Sequence, residues 1–104
     1  MSQIGNFQRA QLNFNASGDN TIIAAAGVIK VWKVFLTVSG AVNMTMKSGS
    51  TVLAGPYIFT ANGSSITLYY DGDPHYLCPP GSAFVINLTG SVTVSGQIHY
   101  TVGG

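Results

Sequence analysis

The stretch Val92-Thr93-Val94-Ser95-Gly96-Gln97-Ile98-His99-Tyr100-Thr101-Val102 decides the fold class. Val92, Val94, Ile98, Tyr100 and Val102 fall on one side of an extended chain. Thr93, Ser95, Gln97, His99 and Thr101 fall on the other. Successive side chains of a strand point to opposite faces, so a period of two marks a half-buried β-strand. The same period recurs upstream. Phe84, Ile86 and Leu88 alternate with Val85, Asn87 and Thr89. Ile66, Leu68 and Tyr70 alternate with Thr67 and Tyr69, which sends Tyr70 inward and Tyr69 outward. Val42, Met44 and Met46 alternate with Asn43, Thr45 and Lys47. Thr, Val, Ile and Tyr dominate these runs, as a pleated surface prefers. No segment carries an apolar period of 3.6.

The run Val28–Ser39 breaks the alternation. Regular pleating places Val28, Lys30, Trp32, Val34, Leu36 and Val38 on one face, and Ile29, Val31, Lys33, Phe35 and Thr37 on the other. A strand apolar on both sides is buried on both sides, and the second cover is expected to be another subunit or the N-terminal segment.

Turn residues divide the strands at short spacing. Ser39-Gly40, Ser48-Gly49-Ser50, Gly55-Pro56, Asn62-Gly63, Asp71-Gly72-Asp73-Pro74, Pro79-Pro80-Gly81 and Thr89-Gly90 all combine residues that turns use. The reading is all-β: one antiparallel β-sandwich domain, jelly-roll-like, of about eight strands. They fall near residues 7–14, 20–25, 28–39, 42–48, 50–59, 65–70, 76–89 (split at Pro79-Pro80) and 92–102. Residues 1–20 are rich in Gln, Asn and Ser and read as an N-terminal arm with a first strand. Residues 21–104 read as the sandwich proper.

The whole chain has 104 residues, enough for one domain. Charged residues are 7% of it, against about 25% in an average protein. Four basic and three acidic side chains leave a net charge of +1. That is too few cations for the phosphate contacts of a nucleic-acid binder, so no nucleic-acid partner is expected. No apolar run reaches the length of a membrane-spanning helix, so no membrane partner is expected either. Residues 1–6 carry neither the basic nor the apolar region of a signal peptide. A surface so poor in charge lacks repulsion between copies, and points to one covered by other subunits. The sequons at Asn15, Asn43, Asn62 and Asn87 need a secretory route.

Few residues offer chemistry. Cys78 is alone and reads as a small buried hydrophobe. There is no nucleophile elbow, no phosphate loop and no pair of ligands at metal spacing. No enzyme activity, cofactor or metal is expected. The cluster Asp71, Asp73, His75, Tyr76 is a strand-connecting turn by composition, with too few oxygens to cage calcium. Together with Tyr69 it is a possible ligand loop, since ring faces suit sugars. Phe7, Arg9, Leu12 and Phe14, with Trp32 and Lys33, are the expected contacts to partners.

The region Gly40–Val102 also carries a resemblance. Ser39-Gly40-Ala41-Val42-Asn43, Lys47-Ser48-Gly49-Ser50-Thr51, Leu53-Ala54-Gly55-Pro56, Ala61-Asn62-Gly63, Pro80-Gly81-Ser82-Ala83-Phe84-Val85-Ile86-Asn87-Leu88 and Val92-Thr93-Val94-Ser95-Gly96 follow in an order that resembles small β-sandwich proteins of tailed bacteriophages and prophages. The resemblance covers about two thirds of the chain. It implies a minor virion protein assembled in the bacterial host cytoplasm: a head decoration (cement) protein, homotrimeric, bound to the major capsid protein and bridging capsomers. The alternative it leaves is a tail-fibre or receptor-binding module that contacts cell-surface glycans. It brings no catalytic residue.

Overall fold

The computed structural model describes residues 7–103. Nine strands follow one another: β1 (Gln8–Phe14), β2 (Gly18–Ile23), β3 (Val28–Val38), β4 (Val42–Ser48), β5 (Thr51–Phe59), β6 (Ser65–Leu68), β7 (Tyr76–Cys78), β8 (Phe84–Leu88) and β9 (Val94–Gly103). No described residue is helical. The expected fold class, an all-β antiparallel sandwich, is the one found. The ninth strand arises because residues 76–89 divide, at the split expected at Pro79-Pro80, into β7 on the five-stranded sheet and β8 on the other.

The strands form two packed sheets. One runs β1-β9-β3-β6 with β7 also on β3, and the other runs β2-β8-β4-β5. Every pairing is antiparallel. The first strand lies beside the last and the second beside the next to last, while consecutive strands mostly alternate between sheets. This interleaving is the jelly-roll order.

Residues 1–20 contribute β1 at an edge of the five-stranded sheet and the start of β2 at an edge of the other. A boundary between residues 20 and 21 therefore falls inside β2. Residues 1–6 lie outside the described residues.

The core fills the space between the sheets. Leu12, Ile29, Val34, Leu36, Val94 and Ile98 enter it from one side, and Met44, Met46, Phe84, Ile86 and Leu88 from the other. Each such side chain contributes roughly 1.5–3 kcal/mol by leaving water. Cys78 is fully buried among them, and that burial raises its thiol above the usual range.

The run Val28–Val38 differs from its expected two-faced form. Val31 pairs with Tyr100 and Lys33 with His99, which leaves Trp32 as an extra residue. This is a β-bulge, and it shifts the pleat by one. Ile29 and Val31 before it and Val34, Leu36 and Val38 after it all face the core. Lys30, Lys33, Phe35 and Thr37 face outward together. The strand has one buried face, and no second cover is required.

Candidate functional site

The register of the five-stranded sheet assembles its outer face row by row. Directly paired residues of antiparallel strands share a face. Arg9 pairs with His99, and His99 with Lys33. In the next row Gln11 pairs with Gln97, Gln97 with Phe35 and Phe35 with Thr67. In the row beyond stand Asn13, Ser95, Thr37 and Ser65. The row on the other side of His99 holds Lys30, paired with Thr101 and Leu77. The face is thus cationic along two adjacent rows and neutral, with amides and hydroxyls, along the next two.

Aromatic rings border it. Trp32, pushed out by the bulge, donates its indole N–H to Thr101 Oγ1 at 2.9 Å. Phe7 meets the Trp32 ring edge-on at 6.0 Å between centroids, and Tyr70 lies 5.4 Å from Trp32. Phe35 packs edge-on against Tyr69 at 5.7 Å and against His99 at 6.1 Å. Tyr69 is 69% exposed. A shallow groove of about 430 Å³ opens beside this second group, lined by Phe35, Thr37, Ser65, Thr67, Ser95 and the Gly96 backbone. Gly96 keeps the backbones close here: at φ +147° a Cβ would overlap the Phe35 carbonyl oxygen.

Charge divides unequally between the two outer faces. Lys47 on the four-stranded sheet is held by Asp19 at 3.0 and 3.1 Å, and Asn87 donates to the same carboxylate at 2.7 Å. These hydrogen bonds, Asn87 first, hold the Asp19 carboxyl below its usual range. Arg9, Lys30 and Lys33 all belong to the five-stranded sheet. Among the described residues the Lys47–Asp19 contact is the one ion pair. His99 sits between Arg9 and Lys33 with its Nε2 buried and without a hydrogen-bond partner. Burial lowers its pKa, and the two neighbouring cations lower it further.

The residues expected as sites are distributed differently. Arg9, Trp32 and Lys33 come together on the outer face, with Phe7 at its border. Leu12 is 1% exposed and belongs to the core, and Phe14 packs against it. Tyr76 is 5% exposed and stacks on Phe84 at 5.7 Å, so it offers a ligand no surface. Tyr70 is 43% exposed, not inward, because β6 ends at Leu68 and the alternation stops there. Asp71 accepts the Asp73 backbone N–H at 3.2 Å, a turn closed on itself. His75 Nε2 lies 2.7 Å from the Tyr69 carbonyl oxygen, which fixes the loop beneath Tyr69. No group of three or more metal-ligating side chains gathers among the described residues.

The row Arg9–His99–Lys33 was not legible as a site. Its signal is the spacing of Lys30 and Lys33. Three residues apart on a regular strand, they take opposite faces, and only a bulge between them lets both face solvent. The chain is therefore an antiparallel jelly-roll sandwich with one aromatic, basic outer face. No protein-family model matches it, and neither a curated protein nor a solved structure resembles it significantly.

Proposed function

We propose that this protein is a structural, non-enzymatic virion subunit, a decoration protein that binds the outside of a bacteriophage head and bridges capsomers as a homotrimer. The observation that carries the reading is a short-looped jelly roll whose scant charge coexists with exposed apolar residues. Val52 and Ile58 on edge strand β5 are 59% and 70% exposed, and Leu77 and Val102 stand out from the other sheet. Jelly rolls recur in viral capsid and lectin domains. Many identical weak contacts hold a shell that one contact would not. Gold-labelled antibodies against the protein should cover the heads of intact particles evenly. Ile58→Lys with Val52→Lys should abolish attachment while the protein stays folded. Substitution is the suitable test, because removal of the N-terminal segment would take β1 and its buried Leu12 with it. Gold confined to tail tips, or no labelling, would remove the decoration reading.

A second reading, a tail-fibre or receptor-binding module that contacts cell-surface glycans, is favoured by one feature: the rings of Trp32, Tyr69 and Tyr70 on the face that also bears the cations and the groove. It moves the contact from the Asp71–Tyr76 turn to the sheet itself.

A further inference from the structure

We infer that the outer face of the five-stranded sheet binds a carboxylate-bearing polysaccharide, with Arg9 and Lys33 holding the acid groups. The inference rests on the glycan-contact reading above and specifies its ligand.

Four observations carry it. First, the cations are not neutralised by their own face. The strand positions facing outward are Arg9, Gln11, Asn13, Lys30, Lys33, Phe35, Thr37, Ser65, Thr67, Leu77, Ser95, Gln97, His99 and Thr101, and none is a carboxylate. Asp71 and Asp73 stand at its margin, in the β6–β7 connection. Second, Arg9 and Lys33 are spaced rather than adjacent. His99 separates Arg9 from Lys33, which puts their strands roughly 10 Å apart, twice the usual inter-strand distance. Two linked sugar rings span that gap. Third, the rows beside the cations present amides and hydroxyls, Gln11 and Gln97 and then Asn13, Ser95, Thr37 and Ser65, the groups that pair with sugar hydroxyls. Fourth, Trp32, Tyr69 and Tyr70 supply ring faces at the two sides, and the groove beside Phe35 gives a neutral ring a seat.

This arrangement disfavours single-stranded nucleic acid. Such a strand carries a charge on every nucleotide and is followed by a continuous basic groove, whereas here the cations fill two adjacent rows, Lys30 beside Thr101 and then Arg9–His99–Lys33, and the next two rows are neutral. A sugar chain with acid groups at intervals matches a charged end of the face that gives way to neutral rows. Arg9 can meet a carboxylate with two parallel N–H donors, and Lys33 as a point charge.

The test uses the full chain and polymers that differ only in charge. Binding to polygalacturonate and to polysialic acid is measured by calorimetry at low and at raised salt, beside fully methyl-esterified polygalacturonate and oligothymidylate. The expected result is binding to at least one acidic polymer, weakened by salt, and at least tenfold weaker binding to the ester. Arg9→Gln combined with Lys33→Gln should weaken acidic binding at least tenfold with an unchanged circular dichroism spectrum. Lys47→Gln, on the opposite sheet, should leave it unchanged. Equal binding of acid and ester would overturn the charge inference and leave the glycan reading standing. Binding to no polysaccharide would overturn both. Tighter binding to oligothymidylate than to either acidic polymer would assign the face to nucleic acid instead. Loss of acidic binding in Lys47→Gln, or none in the double variant, would overturn the assignment to Arg9 and Lys33.

Discussion

The hydroxyls of Tyr57 and Tyr76 meet at 2.8 Å, one tyrosine from each sheet. Tyr57 belongs to β5 and Tyr76 to β7, so the contact ties the four-stranded sheet to the five-stranded one by a polar bond at the margin of an apolar core. Tyr76→Phe strands the Tyr57 hydroxyl and should cost about 1–2 kcal/mol. Tyr76→Ala also empties the stack on Phe84 and should cost about 3–5 kcal/mol. Urea unfolding measures both. If Tyr76→Phe proves neutral, the hydroxyl pair contributes nothing.

The same contact predicts a response to alkali. Burial, then the bond to Tyr57, raises the Tyr76 pKa above its ordinary value of 10.0. The folded state keeps a proton that the unfolded chain releases, so this contribution is full below pH 10 and falls as pH rises beyond it. Tyr76→Phe should flatten that fall. An unchanged alkaline slope in the variant would refute the assignment.

A second pH dependence lies on the acid side, at His99. Its pKa is lowered by burial and then by Lys33 and Arg9, the charged groups facing it from β3 and β1; Phe35 offers only a ring. The unfolded chain therefore binds the proton more readily. Stability is undiminished above pH 6.5, the ordinary value, and declines as pH falls from there toward the lowered folded value. His99→Gln should remove this decline between pH 7 and 5, a change that thermal melting across that interval would register.

Gly96 admits no side chain. Its φ of +147° is closed to other residues, and a Cβ would overlap the Phe35 carbonyl oxygen and lie 2.8 Å from Leu36 Cα. Both obstacles are backbone. Gly96→Ala should destabilise by on the order of 3 kcal/mol and fill part of the groove beside Phe35. A melting temperature within a degree of the parent would contradict this placement.

The bulge at Trp32 makes a deletion prediction. Removing Trp32 leaves Val31 opposite Tyr100 and Lys33 opposite His99, a regular ladder that keeps every core residue inward. The loss should be confined to contacts with Phe7, Tyr70 and Thr101, about 1–2 kcal/mol. Removing Phe35 instead sends either Lys33 into the core or Leu36 and Val38 out of it, and should prevent folding. Soluble expression and circular dichroism of the two deletions distinguish the cases; a Trp32 deletion that fails to fold would show the bulge to be indispensable.

The architecture was legible where one residue type follows another at period two. Val92–Val102, Phe84–Leu88 and Val42–Lys47 announced their strands and their buried faces, because one side of each meets the core and the other meets water. Val28–Val38 misled because regular pleating was assumed: the one mark of the bulge is that Lys30 and Lys33 lie three residues apart, and the pleat shift itself shows in the pairing. Tyr70 misled because periodicity does not say where β6 stops. The row Arg9–His99–Lys33 draws on three strands distant in sequence, and their neighbourhood is set by pairing register, which no local pattern encodes.

The position of β9 has a consequence for how the molecule comes into being. Its ten residues lie between β1 and β3, and Tyr100 donates a hydrogen bond to Gln8 across 92 positions of chain. Until β9 leaves the ribosome, β1 and β3 have no common neighbour, and the five-stranded sheet is split down its middle. Pairings so remote in sequence place such sandwiches among the slow folders, at milliseconds to seconds. The nascent chain must therefore wait for β9 with apolar strands exposed, and the few charged side chains on them, Arg9, Asp19, Lys30, Lys33 and Lys47, discourage premature association with its neighbours.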